Sequence, residues 1–193
     1  MSLDPAEQRV LDAAKSCCER WGLAKVTIED IANEAGVSRA TLYRMFPGGK
    51  DVLFEALRVR DIEDFFTRLS AHLDGASDFE DLLVRCVVHA MEELRGDQHL
   101  SMMLASEPGE ILGELTVDGL PRIIRVATVF LAPLVDGFLP RREGARLVEL
   151  LSRLVISYFL APSDQVDLGD PDSARVFIQT FILPAFQPSL TRS

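Results

Sequence analysis

No uninterrupted apolar run in this 193-residue chain reaches the roughly 18–20 residues needed to cross a bilayer. Its most apolar stretches, Ile123–Leu139 and Leu147–Ala161, are broken by Arg125, Asp136, Glu149 and Arg153. The first residues, MSLDPAEQ, carry neither a basic start nor an apolar stretch. No signal peptide is read there, and a cytoplasmic location is expected. Cysteine is scarce as well: Cys17, Cys18 and Cys86 do not form a disulfide framework. Cys17 and Cys18 fall on a helical stripe with Val10, Ala14 and Trp21, which makes them small buried hydrophobes rather than redox sensors. His72, His89 and His99 show no metal-ligand spacing and are expected to be ordinary helical residues. The chain has no phosphate-cradling glycine loop, nucleophile elbow, metal cluster or paired-carboxylate constellation. Those absences argue against an enzyme, and neither cofactor nor metal is expected.

Basic charge is also in short supply, at a formal net −10, which as an average argues against nucleic-acid binding. The distribution of charge points the other way. Residues 1–50 hold seven basic groups (Arg9, Lys15, Arg20, Lys25, Arg39, Arg44, Lys50) and seven acidic ones, leaving 13 basic against 23 acidic in residues 51–193. A neutral head on an acidic body can present a local basic face, while the body repels a duplex and helps to orient it.

What is present is helix. No run alternates with period two for long enough to compete, and Pro and Gly sit at boundaries. The most informative segment is Val26–Phe46, VTIEDIANEAGVSRATLYRMF. Thr27 caps a first short helix and Asp30, three residues on, completes a T-x-x-D capping box, with Val26 and Ile31 spaced as a hydrophobic staple. Ser38 caps a second helix, with Val37 and Leu42 as its staple. Between them Gly36 supplies the left-handed conformation of a sharp turn. Leu42, Phe46, Ile31 and Ala35 read as core, and the polar Arg39, Thr41, Tyr43 and Arg44 as a face for phosphates and bases. This is a helix-turn-helix, which presents one helix to a major groove.

A first helix precedes it, from Asp4 as cap and Pro5 in the first turn to near Gly22. Pro47-Gly48-Gly49 stops the recognition helix. A long helix follows over 50–73 and another over 78–95. Shorter pieces fit 98–106 and 110–115, separated by Pro108-Gly109. Pro121 opens a helix to about Phe138 that Pro133 should kink. Two more helices fit 142–160 and, from Pro171, to near Pro184. The expectation is an all-α protein of about nine helices, with a DNA-binding head over 1–48 and a larger bundle over 49–193.

The motif T-I-E-D-I-A-N-E-A-G-V-S-R-A-T-L-Y-R-M-F, followed by K-D-V-L-F, resembles the DNA-binding signature of the tetracycline-repressor-like (TetR/AcrR) family of bacterial one-component regulators. The resemblance covers about residues 8–58; the remainder matches in helix number and length. Pro-Gly-Gly before Lys50 is one residue longer than that family's usual connection. The resemblance implies a homodimer whose heads read a palindromic operator of double-stranded DNA, with a ligand in the C-terminal bundle changing their separation. It also implies that Thr27, Ser38, Tyr43 and Lys50 contact phosphates and that Arg39, Ala40, Thr41 and Arg44 lie nearest base edges. Hydroxyls and amides at helix N-termini suit phosphates, Arg can pair with guanine, and the methyls of Ala40 or Thr41 can pack on thymine.

The bundle is rich in large apolar groups. Phe66, His89, Met102, Met103, Phe130 and Phe159 are the candidate lining of a pocket for a lipophilic effector, with His89 and Arg125 as its polar anchors. Leu147, Leu151, Leu154 and Tyr158 form one stripe, and Phe177 and Phe181 lie on a second, for an isologous dimer seam. A ligand-released repressor is the functional expectation. The alternatives are an activator of the same fold and a helical lipid-binding protein without DNA function.

Overall fold

The computed structural model describes residues 4–23, 25–106, 108–117 and 119–187, and all of their side chains except those at 99, 106, 110 and 114. The side chain of His99 therefore lies outside the described residues. Every regular element described is helical: α1 (Pro5–Trp21), α2 (Ile28–Ala35), α3 (Arg39–Met45), α4 (Lys50–Leu73), α5 (Phe79–Gly96), α6 (Gln98–Ser106), α7 (Pro108–Leu115), α8 (Leu120–Val135), α9 (Arg141–Leu160) and α10 (Pro171–Phe177). From α10 the chain continues through a π-helical turn, Ile178–Ile182, into a last α turn, α11 (Leu183–Phe186). The all-α expectation holds, with one helix more than about nine when this last rod is counted once.

Start signals act where the sequence places them. Asp4 accepts the Ala6 N–H at 3.0 Å while Glu7 accepts the Asp4 N–H at 3.1 Å, so α1 opens on a reciprocal box. Prolines account for three differences from expectation. Pro108 opens α7 instead of separating it from α6, because its missing N–H is tolerated in a first turn. Pro184 likewise falls in the first turn of α11, which begins at Leu183, so the last rod runs on to Phe186. Pro133 lies inside α8, in its final turn, and the helix ends at Val135 rather than near Phe138. Trp21 leaves the stripe as well. It lies at the end of α1, where Gly22 turns the chain away, and is exposed beneath the Arg20 guanidinium 5.1 Å from its ring.

The chain divides into two compact units, Met1–Asp61 and Ile62–Ser193, so the boundary falls within α4 rather than at 48–49. The head extends further because Leu53, Phe54 and Leu57 of α4 complete its core. They join Val10, Leu11, Ala14 and Cys17 of α1, Ile31 and Ala32 of α2, and Leu42 of α3. At the end of this unit Arg60 reaches Asp12 at 2.7 Å and Lys15 reaches Asp61 at 3.2 Å, tying α1 to α4.

The second unit is built around α5, whose Leu82, Leu83, Val87, Val88 and Met91 are buried. Against them pack Phe66, Leu69 and Leu73 of α4, Ala127 and Leu131 of α8, Leu147, Val148 and Leu151 of α9, and Ala174, Ile178 and Ile182 of the last rod. Arg95 pairs with Asp167 at 2.8 Å and Arg175 with Glu80 at 2.8 Å, fastening the segment before α10 and α10 itself to α5. No polar or charged residue among those described is buried.

Leu147 and Leu151, expected on the dimer seam, lie instead in the interior of the unit. Leu147 has no exposed surface and Leu151 is 6% exposed, because both are used by the unit's own core. Leu147→Ala should therefore lower the stability of the chain by about 2–5 kcal/mol through the cavity it leaves. Denaturant unfolding at several protein concentrations measures this, and a loss confined to low concentrations would place Leu147 between subunits instead.

Candidate nucleic-acid interface

The head derives its local geometry from side chains that are close in sequence. Thr27 Oγ1 accepts the Asp30 N–H at 3.2 Å, while an Asp30 carboxylate oxygen accepts the Thr27 N–H at 2.9 Å and the Thr27 hydroxyl at 2.6 Å. The Thr27 hydroxyl, and after it the Thr27 backbone N–H, hold the Asp30 carboxyl below its ordinary value. Val26 and Ile31 beside this box are buried. Gly36 then adopts φ +66° and its N–H closes α2 on the carbonyls of Ala32 and Asn33. An L side chain would be strained there.

Ser38 Oγ accepts the Thr41 N–H at 3.1 Å and lies 2.9 Å from the Thr41 hydroxyl, so α3 starts at Arg39. Leu42 is fully buried under this short helix. With 3.6 residues per turn, one inward residue leaves Arg39, Ala40, Tyr43 and Arg44 exposed and Thr41 half-buried. Thr27 and Ser38 are exposed at the two helix starts. Seven of the eight candidate DNA-contacting residues therefore lie on the surface of α3 or at the starts of α2 and α3. The eighth, Lys50, is drawn inward: Nζ donates to the Leu23 carbonyl at 2.9 Å and sits 5.5 Å from the Phe54 ring centre. Part of its hydrogen-bonding capacity is thus committed within the head.

Two contacts were not legible in the sequence. Glu29 faces Arg39 at 3.6 Å across exposed surface, so a carboxylate competes with phosphate for that guanidinium. Tyr43 lies against Gly49, where φ is +70° and an added Cβ would come within 3.1 Å of the ring. The connection Pro47-Gly48-Gly49 therefore supports the tyrosine as well as ending α3.

Among the described residues of the second unit, the candidate pocket residues lie in different surroundings. Phe66 is buried and stacks with half-buried Phe130, ring centres 6.4 Å apart. Met102 is 54% exposed, Met103 and Phe159 are half-buried, and Arg125 faces solvent. His89 packs on His72 at the surface and meets Glu92 at 2.7 Å, so it anchors no interior pocket. One cavity of about 20 Å³ is bounded instead by Leu73, Leu82, Leu83, Cys86, Leu131, Leu134, Val135, Leu147, Val148 and Leu151. None of the six expected residues lines it. Its volume suits about one water molecule, but every wall is apolar or a thiol, and burial pushes Cys86 up to about 12.

Apolar surface remains for a partner. Phe181 is 62% exposed, and its ring meets Phe177 at 5.2 Å, which meets Tyr158 at 5.7 Å. Leu154 is half-buried and Val176 exposed on the same two elements.

Residues 10–57 match the model of bacterial regulatory proteins of the tetR family. An uncharacterized HTH-type transcriptional regulator of Mycobacterium tuberculosis is 37% identical over 109 residues, 55% of each chain. The chain thus spans about half the length of the curated relatives it matches. Among solved structures, the TetR family repressor AlkX from Dietzia, implicated in biodegradation of n-alkanes, superposes with a TM-score of 0.69 at 23% identity, covering 96% of this chain and 97% of AlkX. The regulator FadR of Bacillus subtilis, in complex with stearoyl-CoA, gives 0.53 at 18% identity, covering 91% of this chain and 98% of FadR. Residues 10–57 are thus similar to the tetR family, and the chain shares the fold of these solved regulators. Its relatives are named as regulators rather than enzymes.

The Thr27–Asp30 box carries a pH signature. Because the folded Asp30 carboxyl is held low, its stabilising effect is present above the unfolded carboxylate pKa and is lost as pH falls through the lowered folded value. Asp30→Asn should remove part of the acid-induced loss of head stability. Circular-dichroism melts of both proteins from roughly pH 6 to pH 2 test this, and identical acid limbs would contradict the bonding described.

Proposed function

We propose that this chain is a DNA-binding transcriptional repressor that holds a palindromic operator as a homodimer and releases it when a lipophilic molecule binds the second unit. The observation that carries the DNA part is the outward face of α3: Arg39, Ala40, Tyr43 and Arg44 exposed around a buried Leu42. An exposed, capped helix with two guanidiniums fits a major groove, where Arg pairs with guanine and hydroxyls hold phosphates. Repression over activation follows the AlkX name, and activation is the second reading.

The dimer seam falls on Leu154, Tyr158, Phe177 and Phe181, now without Leu147 and Leu151. Repeated by a two-fold axis, this surface gives an isologous contact. Such a pair would set the two recognition helices about one DNA turn apart, ~34–36 Å, or somewhat more. The lipophilic class of effector is supported by the wholly apolar core and by neighbours associated with n-alkane degradation and stearoyl-CoA. A ligand can act only through its difference in affinity for DNA-bound and released states.

Arg44→Ala should weaken operator binding by about 1–3 kcal/mol if the side chain reads a base. Gel shifts on DNA flanking the chain's own gene measure this, with Arg39→Ala as companion; unchanged binding in both variants would remove α3 from the interface. Phe181→Glu should leave the helical content intact and convert dimer to monomer in light scattering. A wild-type monomer would overturn the dimer reading.

A further inference from the structure

The second unit holds a pair of imidazoles that its core does not use. His72, in the last turn of α4, and His89, near the middle of α5, lie with ring centres 4.5 Å apart and planes tilted by 34°. His72 Nδ1 is 2.9 Å from the Arg68 carbonyl, and His89 Nδ1 is 2.7 Å from a Glu92 carboxylate oxygen. Neither a carbonyl nor a carboxylate has a hydrogen to give, so in both rings Nδ1 carries the proton and donates. In the neutral rings the lone pair is then on Nε2 in both cases. A ring whose Nδ1–H is held by a carbonyl or carboxylate, with Nε2 left over, is the arrangement in which protein imidazoles ligate metals.

From this geometry we infer that His72 and His89 form a divalent transition-metal site, with both Nε2 atoms as ligands. With metal–nitrogen bonds of about 2.0–2.1 Å, two adjacent ligand nitrogens sit about 3 Å apart, which ring centres 4.5 Å apart allow. The surroundings suit a cation. Arg68 is neutralised by Glu93 at 2.8 Å, which leaves the Glu92 carboxylate in excess. No group of three or more ligating side chains gathers among the described residues, so water completes the coordination. His72 is exposed and the His89 side chain is 30% exposed, so ions have access. Imidazole ligands select copper, nickel and zinc over magnesium and calcium. The bound metal cross-links α4 to α5 where the Arg68–Glu93 pair already joins them.

Untagged, full-length protein is titrated with Zn²⁺, Ni²⁺, Cu²⁺ and Mg²⁺ by equilibrium dialysis and thermal melting. The expected result is one saturable site per chain, tightest for Cu²⁺, a raised melting temperature and no response to Mg²⁺. His72→Ala and His89→Ala should each lower affinity at least tenfold, and Glu92→Gln roughly tenfold through loss of its hold on His89. Cys18→Ser should bind as the wild type does. Absence of saturable binding, or binding that survives both histidine substitutions, overturns the proposal.

Discussion

Leu42 is the one side chain of α3 that is wholly withdrawn from water, and its burial fixes where the other residues of that helix point. Seven residues do not form a stable helix alone, because nucleation costs more than two turns return. The helix exists because Ser38 satisfies a first-turn amide and Leu42 is held by the cores of α1, α2 and α4. Once both are fixed, the helical period assigns Arg39, Ala40, Tyr43 and Arg44 outward with no further choice. The chemistry of the exposed face therefore depends on an apolar contact on the opposite side. A substitution that loosened Leu42 would misdirect both guanidiniums without touching them.

The same constraint explains why the head does not end at its last loop. Pro47-Gly48-Gly49 looks like a boundary because it stops a helix, yet the three helices before it lack a lid until Leu53, Phe54 and Leu57 of α4 are added. Further along the same helix Phe66, Leu69 and Leu73 belong to the second unit's core. α4 thus serves two cores through one uninterrupted helix that contains neither Gly nor Pro. Arg60, Asp12, Lys15 and Asp61 reinforce the head's share of it, and these partly exposed pairs contribute modestly.

Signals that act within four residues were legible in the sequence: the caps at Asp4 and Ser38, the box at Thr27, the left-handed Gly36. Each is a local bond between near neighbours, so spacing alone specifies it. Features that need a partner from another helix were not. A stripe such as Leu147, Leu151, Leu154 and Tyr158 states that a face is apolar but not what covers it. Here its first two members face α5 and α8 within the unit, and the last two keep some surface. His72 and His89 stand far apart in sequence, so no motif marks their pairing. Glu29 and Arg39 meet only because Gly36 folds α3 back beside α2. Met102 illustrates the opposite error: a large apolar side chain counted as lining because of its type, which the fold leaves mostly in solvent.

The apolar second unit also constrains how any effector could act. The cavity of about 20 Å³ bounded by Leu73, Leu83, Leu131 and Leu147 is far below the roughly 300–1,000 Å³ of a typical small-molecule pocket. Holding open an empty apolar void costs about 24 cal/mol per Å³, so 300 Å³ would cost roughly 7 kcal/mol. An expanded pocket at this position is therefore populated only when filled. Walls of leucine, valine and one inert thiol offer no polar group to compensate, so a ligand must recover that energy by burying its own hydrocarbon surface. Ligand binding and displacement of α4, α5, α8 and α9 around Leu73, Leu83, Leu131 and Leu147 then become one event. A lipophilic molecule that opened this space would favour the opened conformation by the hydrocarbon surface it buries, whereas a small polar molecule would gain nothing from opening it.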